Sequence, residues 1–129
     1  MTSRSATPET IDKLADGVTY ALAMLAGMQL DAWTPLKDGP RTAEQIASSL
    51  NVRTFKIRPL LNALTAAGLL TAKDDLFINT PEAQRYLVNG VPDSMLGSGS
   101  QLAHVWAELL GTAESIRTGE PQSKIDYST

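Results

Sequence analysis

The sequence predicts a mainly α-helical chain carrying one small β-hairpin. Apolar residues repeat at helical spacing in several separate stretches. Between them, residues 39–79 read as helix, turn, helix and then two short apolar runs around Lys73-Asp74-Asp75. Thr42 followed by Gln45 is a capping box, which marks the start of the first of those helices. Helix, turn, helix and hairpin make a winged helix, here with helices on both sides. The expected domain spans 11–121, with a disordered N-terminus over 1–10 and a tail or linker over 122–129.

Taken in order, Thr7 or Thr10 is expected to cap a long first helix. Ile11, Leu14, Val18, Leu22 and Leu25 form its main apolar stripe. Met24, Met28 and Leu30 add apolar residues on other faces, and charges are sparse between Asp16 and Asp31. A helix that is apolar nearly all round needs cover on most sides, and a small domain has difficulty supplying it. Asp31 to Leu36, with Trp33, reads as a short helix. Ala43, Ile46, Ala47 and Leu50 are the stripe of the next one, closed by Asn51 in a left-handed conformation. Thr54 is the expected cap of a third helix with Ile57, Leu60, Leu61 and Leu64 inward. Pro59 removes a backbone donor there and is expected to bend or delay its start. Gly68 ends it. Leu69 to Thr71 and Leu76 to Ile78 are the hairpin strands. Thr80-Pro81 opens a short helix to Val88. Gly97-Ser98-Gly99-Ser100 is a break capped by Ser100, and a single helix follows over 101–117, ending at Gly119 and Pro121.

Chemistry is sparse. The 129 residues are 43% apolar and 19% charged, with formal net charge −3. This is a globular composition. The chain has no cysteine and one histidine, which excludes disulfides and thiolate metal sites and argues against a metal centre. No apolar run reaches the ~18 residues that cross a bilayer. The first residues lack a signal peptide's apolar core. A cytoplasmic location is expected. The Gly97 stretch lacks the third glycine, the preceding strand and the lysine of a phosphate loop. His104 and Glu108, one turn apart, have the spacing of a base and its orienting carboxylate, but more often form a surface pair. A winged helix can read DNA with its second helix, here through Arg53, Lys56 and Arg58, with Lys73 on the wing. Asp74 and Asp75 at the wing tip and the net negative charge argue against nucleic acid.

Four segments resemble a known family: Leu36 to Ala47 (LKDGPRTAEQIA), Leu60 to Leu70 (LLNALTAAGLL), Thr80 to Ala83 (TPEA) and Ser115 to Gln122 (SIRTGEPQ). In this order they are similar to the N-terminal dimerisation domain of S-adenosylmethionine-dependent O-methyltransferases. The resemblance implies a longer enzyme with a Rossmann-like catalytic domain that binds the methyl donor. This chain ends before any such loop, so no cofactor and no catalysis are expected of it alone. In that family the domain pairs with its own copy and covers the site of a small-molecule methyl acceptor. The apolar first helix, with few charges after Asp16, and the helix around Trp106 fit that pairing independently, so a homodimer interface is expected at Ile11, Leu14, Val18, Leu22, Leu25, Trp106 and Leu109, on flanking dimerisation helices. The resemblance also implies a lid or pocket wall at Met24, Met28, His104 and Trp106. The competing readings are a DNA-binding regulator and a stand-alone small-molecule-binding protein.

Overall fold

Three helices in the first half of the chain end in the same way. In the computed structural model, which describes residues 5–121, α1 spans Glu9–Leu30, α2 Ala43–Leu50 and α3 Thr54–Ala66. Each runs into a left-handed residue: Asp31 (φ 63°), Asn51 (φ 57°) and Gly68 (φ 88°). The following amide then reaches back to a carbonyl of the last turn. Ala32 N–H donates to Gly27 O at 2.9 Å, Val52 N–H to Ala47 O at 3.0 Å and Leu69 N–H to Leu64 O at 2.9 Å. Glycine suits this turn because it has no Cβ, and Asn and Asp tolerate it through their short polar side chains.

Two helix starts differ from expectation. α1 begins at Glu9 behind Pro8, without a side-chain cap, so Thr10 lies within it. Residues 9 and 10, placed in the disordered N-terminus, are helical; residues 1–4 of that stretch and the tail at 122–129 lie outside the described residues. Arg53, in extended conformation, precedes α3, and Thr54 is its first residue rather than its cap. Pro59 sits inside α3 without delaying its start. The α2 start is as read. Gln45 N–H donates to Thr42 Oγ1 (3.2 Å) and Thr42 N–H to Gln45 Oε1 (2.9 Å). Thr42→Ala removes this cap and is expected to cost about 1 kcal/mol, read as a lowered melting temperature that Thr42→Ser restores.

The hairpin is β2, Leu70–Lys73, and β3, Leu76–Asn79, paired antiparallel. Asp74 and Asp75 both have positive φ, 52° and 64°, as a tight turn matching the strand twist requires. A third strand, β1 (Arg41–Thr42), pairs with the other edge of β3. It is two residues long and has no signature in the sequence. Thr42 thus ends a strand and caps a helix. α4 spans Pro81–Tyr86, with Thr80 Oγ1 accepting from Ala83 N–H (3.3 Å). It stops two residues before the expected end, and Leu87 and Val88 are buried beyond it.

The single helix expected over 101–117 is two helices, α5 (Gly99–Leu109) and α6 (Thr112–Thr118). Gly111 falls at the break, where the Thr112 hydroxyl donates to the Leu109 carbonyl at 2.6 Å. Gly99, behind a 3-10 turn at Leu96–Ser98, starts α5 with no cap from Ser100. Gly119 closes α6 in left-handed conformation, φ 73°.

The core lies where α1, α2, α3 and the sheet meet. Trp33, Ile46, Leu61, Leu64 and Val88 are its largest fully buried side chains. Trp33 Nε1 donates to Leu69 O at 3.1 Å. Asn79 Nδ2 donates to Trp33 O (2.9 Å) and Gln84 Oε1 (2.8 Å), which ties the turn after α1 to the β3–α4 corner.

Candidate functional site

A groove of about 460 Å³ runs between the C-terminal half of α1, the corner after α3, α4 and α5. Met24 and Met28 of α1 line it together with Leu102 and Val105 of α5, and with Leu69 and Leu87. Glu82, Tyr86, Met95, Ser98 and Gln101 complete it. Gly99, at the start of α5, lies beside Met28 of α1. A Cβ there would lie 3.6 Å from Met28 Cβ. Met95 N–H donates to Tyr86 O at 2.7 Å, which fixes the loop that carries Met95. Three of the four methionines in the chain converge on this groove.

Of the expected pocket-wall residues, Met24 and Met28 line the groove. His104 is exposed and Trp106 half-buried, and neither is among the groove's lining residues. Met95, Gln101 and Tyr86 were missed as site residues, because their approach to Met24 and Met28 depends on the packing of α5 on α1.

The second feature is uncovered apolar surface. Along the α1 stripe, Ile11 is 70% exposed, Leu14 69%, Val18 59% and Leu22 50%, whereas Leu25 is 9% exposed. Leu25 is therefore buried within the single chain, whereas Leu30 at the end of α1 is again 40% exposed. Leu109 is exposed, as are Leu110 and Ile116 around the α5–α6 break. The last two belong to the apolar pattern of that stretch but were not among the expected interface residues.

The basic cluster is smaller than its sequence suggests. Arg58 pairs with Glu44 at 2.8 Å, and Lys56 sits 5.5 Å over the Phe55 ring. The Glu44 carboxyl is held below its ordinary range, first by its own backbone N–H at the start of α2 and further by Arg58. Asp74 and Asp75 occupy the wing tip. Each phosphate contact contributes about 0.9 to the salt slope of binding, so so few cations support only a shallow one. No retention of duplex DNA is expected in a gel shift at ~150 mM salt, with Lys56→Glu indistinguishable from wild type. Among the described residues there is no cluster of His, Cys, Asp or Glu able to hold a metal, and no helix long and apolar enough to cross a membrane.

The described residues form a winged helix with a long, partly exposed apolar helix before it and a broken helical arm after it. No protein-family model matches the chain. It is 33% identical over 115 residues to the N,N-dimethyltransferase OxyT of Streptomyces rimosus, covering 86% of this chain and 33% of that protein. It is 30% identical over 119 residues to the 3-hydroxy-5-methyl-1-naphthoate 3-O-methyltransferase of Streptomyces sahachiroi, covering 92% of this chain and 34% of that protein. Among solved structures, that of PigF with SAH superposes with a TM-score of 0.79 at 23% identity, over 88% of this chain and 34% of that one. The chain belongs to the S-adenosylmethionine-dependent O-methyltransferase family and corresponds to its N-terminal winged-helix part. It spans about a third of the length of the curated relatives it matches.

Proposed function

We propose that this chain is the dimerisation and acceptor-covering module of a cytoplasmic O-methyltransferase acting on a small molecule. The observation that carries the reading is the α1 stripe. Ile11, Leu14, Val18 and Leu22 lie in one line and are each half or more exposed, whereas Leu25 is buried. A second copy related by a two-fold axis covers such a stripe with itself. Each aliphatic side chain taken from water contributes about 1.5–3 kcal/mol. The similarity to two methyltransferases over most of the chain supports the enzyme class.

The methyl donor does not fit the residues described. Its glycine-rich loop follows a strand, whereas Gly97-Ser98-Gly99-Ser100 is a 3-10 turn running into α5, with Gly99 packed on Met28. Donor chemistry therefore belongs to a catalytic domain, and this chain shapes and closes the acceptor side. Sedimentation of the chain is expected to show a dimer at micromolar concentration. Calorimetry with S-adenosylmethionine is expected to be silent. A strict monomer at high micromolar concentration overturns the pairing half of the reading, and micromolar donor binding overturns the division of labour.

A further inference from the structure

We propose that Asn89-Gly90, in the turn after α4, is a site of spontaneous covalent modification, where the asparagine loses its side-chain amide and leaves aspartate or isoaspartate. The reaction needs no ligand and no second copy, so it holds whether or not α1 pairs. The chain has four asparagines, Asn51, Asn62, Asn79 and Asn89, and only the last precedes glycine. The backbone nitrogen of the following residue must reach the side-chain Cγ, so a hydrogen bond on either group, or a helix around them, opposes the step. Asn62 sits inside α3. Asn51 precedes the branched Val52, whose N–H donates to Ala47 O at 3.0 Å. Asn79 is buried, and its Nδ2 donates to Trp33 O and Gln84 Oε1. Asn89 and Gly90 are both exposed. Among the described residues, neither the Asn89 side chain nor the Gly90 N–H has a hydrogen-bond partner. The turn itself keeps the reactive pair. Gly90 has φ 83°, where a side chain would be strained. Nothing lies within 4 Å of a Cβ built on it, so no neighbour screens that side.

The Gly90 nitrogen gives up its proton and attacks Asn89 Cγ. The Cγ–Nδ2 bond breaks, ammonia leaves, and a cyclic imide remains. Water then opens the imide. Addition at Cγ gives aspartate. Addition at the main-chain carbonyl carbon gives isoaspartate, whose backbone runs on through Cβ and Cγ. The sum is amide and water to carboxylate and ammonium, with no change of oxidation state. Isoaspartate adds an atom to the chain between two anchored stretches. Before it, Val88 is buried and Asn89 N–H donates to Thr34 Oγ1 at 2.9 Å. After it, Asp93 pairs with Arg85 at 3.0 Å, and Met95 N–H donates to Tyr86 O at 2.7 Å. The loop that these contacts close leads into α5, whose first residue, Gly99, lies beside Met28 of α1. The added atom therefore loosens the seat of α5 on α1.

The test is incubation of the folded full chain at mildly acidic and mildly alkaline pH, followed by tryptic mapping. The peptide 86–117 carries Asn89 and no other asparagine. Its amide should be lost at least about tenfold faster than those of Asn51, Asn62 and Asn79, a barrier lower by about 1.4 kcal/mol. Two products of equal mass should separate, the aspartate and the isoaspartate peptide. The rate should rise with pH, because the attacking nitrogen must lose its proton. Asn89→Gln, which can close only a larger ring, should keep its amide over the same period with unchanged circular dichroism. Ageing should lower the melting temperature of the wild-type chain and spare Asn89→Gln. Asn89→Asp carries the new charge without the added backbone atom, and should melt like the fresh chain. Loss at the other asparagines as fast as at Asn89 overturns the site. A wild-type chain that ages without a change in melting, or an Asn89→Asp chain as unstable as the aged one, overturns the effect on α5.

Discussion

Trp33→Ala is expected to leave little folded protein at room temperature. The indole is fully buried, and its ring touches the backbone of α1 at Gly27. Its Nε1 satisfies Leu69 O across 36 residues of chain. Truncating a buried tryptophan to alanine costs about 3–5 kcal/mol, and the orphaned carbonyl adds about 1–3 kcal/mol. The total approaches the ~5–15 kcal/mol of a typical domain. The seat is equally strict from the helix side. A Cβ at Gly27 would lie 2.6 Å and 2.9 Å from two carbons of the Trp33 ring, and 3.3 Å from Leu64 Cδ1. Gly27→Ala should therefore destabilise, by about 1–3 kcal/mol of overpacking, less the roughly 1 kcal/mol that alanine gains over glycine in a helix. Gly17 is the control. It lies on the same helix with nothing within 4 Å of an added Cβ. Gly17→Ala should stabilise by about 0.4–1 kcal/mol. Urea denaturation reads all three, and a stable Trp33→Ala would mean that the core does not depend on this ring.

What was legible in the sequence is what the chain decides within one helical turn. The Thr42–Gln45 box, the left-handed Asn51 and Gly68, and Pro81 after Thr80 each act over four residues or fewer, and each stands where its chemistry put it. The pieces that were not legible depend on partners far away. β1 is extended only because β3 offers Phe77 and Leu76 opposite Arg41 and Thr42. The helix over 101–117 kept its apolar periodicity across Gly111, so periodicity alone could not reveal the break. Leu22 and Leu25 are equivalent by pattern, yet one is half exposed and the other buried. The groove shows the same limit. Met24 and Met28 carried a pocket reading by composition, whereas Met95, Gln101 and Tyr86 join them only through the packing of α5 on α1.

That difference along the stripe sets up the second large effect, on assembly. Val18→Asp should convert the chain from dimer to monomer while leaving its fold intact. Val18 is 59% exposed in the single chain and lies on the part of α1 left uncovered, so a carboxylate there remains hydrated in the monomer. A surface substitution of this kind usually changes stability within about 0.5 kcal/mol. In a two-fold interface the same change occurs twice. Each copy loses the roughly 1.5–3 kcal/mol of a buried aliphatic side chain. The pair thus loses about 3–6 kcal/mol, which weakens association by at least about a hundredfold. Leu25→Asp behaves differently, because Leu25 is 9% exposed before any partner arrives. It buries an unpaired charge in the monomer and should lower the melting temperature. Sedimentation and circular dichroism, read together, separate the two. Val18→Asp should move the first and spare the second, while Leu25→Asp should move the second. A Val18→Asp chain that still sediments as a dimer would place the interface elsewhere, and the exposed Leu109, Leu110 and Ile116 around the α5–α6 break would be the next surface to charge.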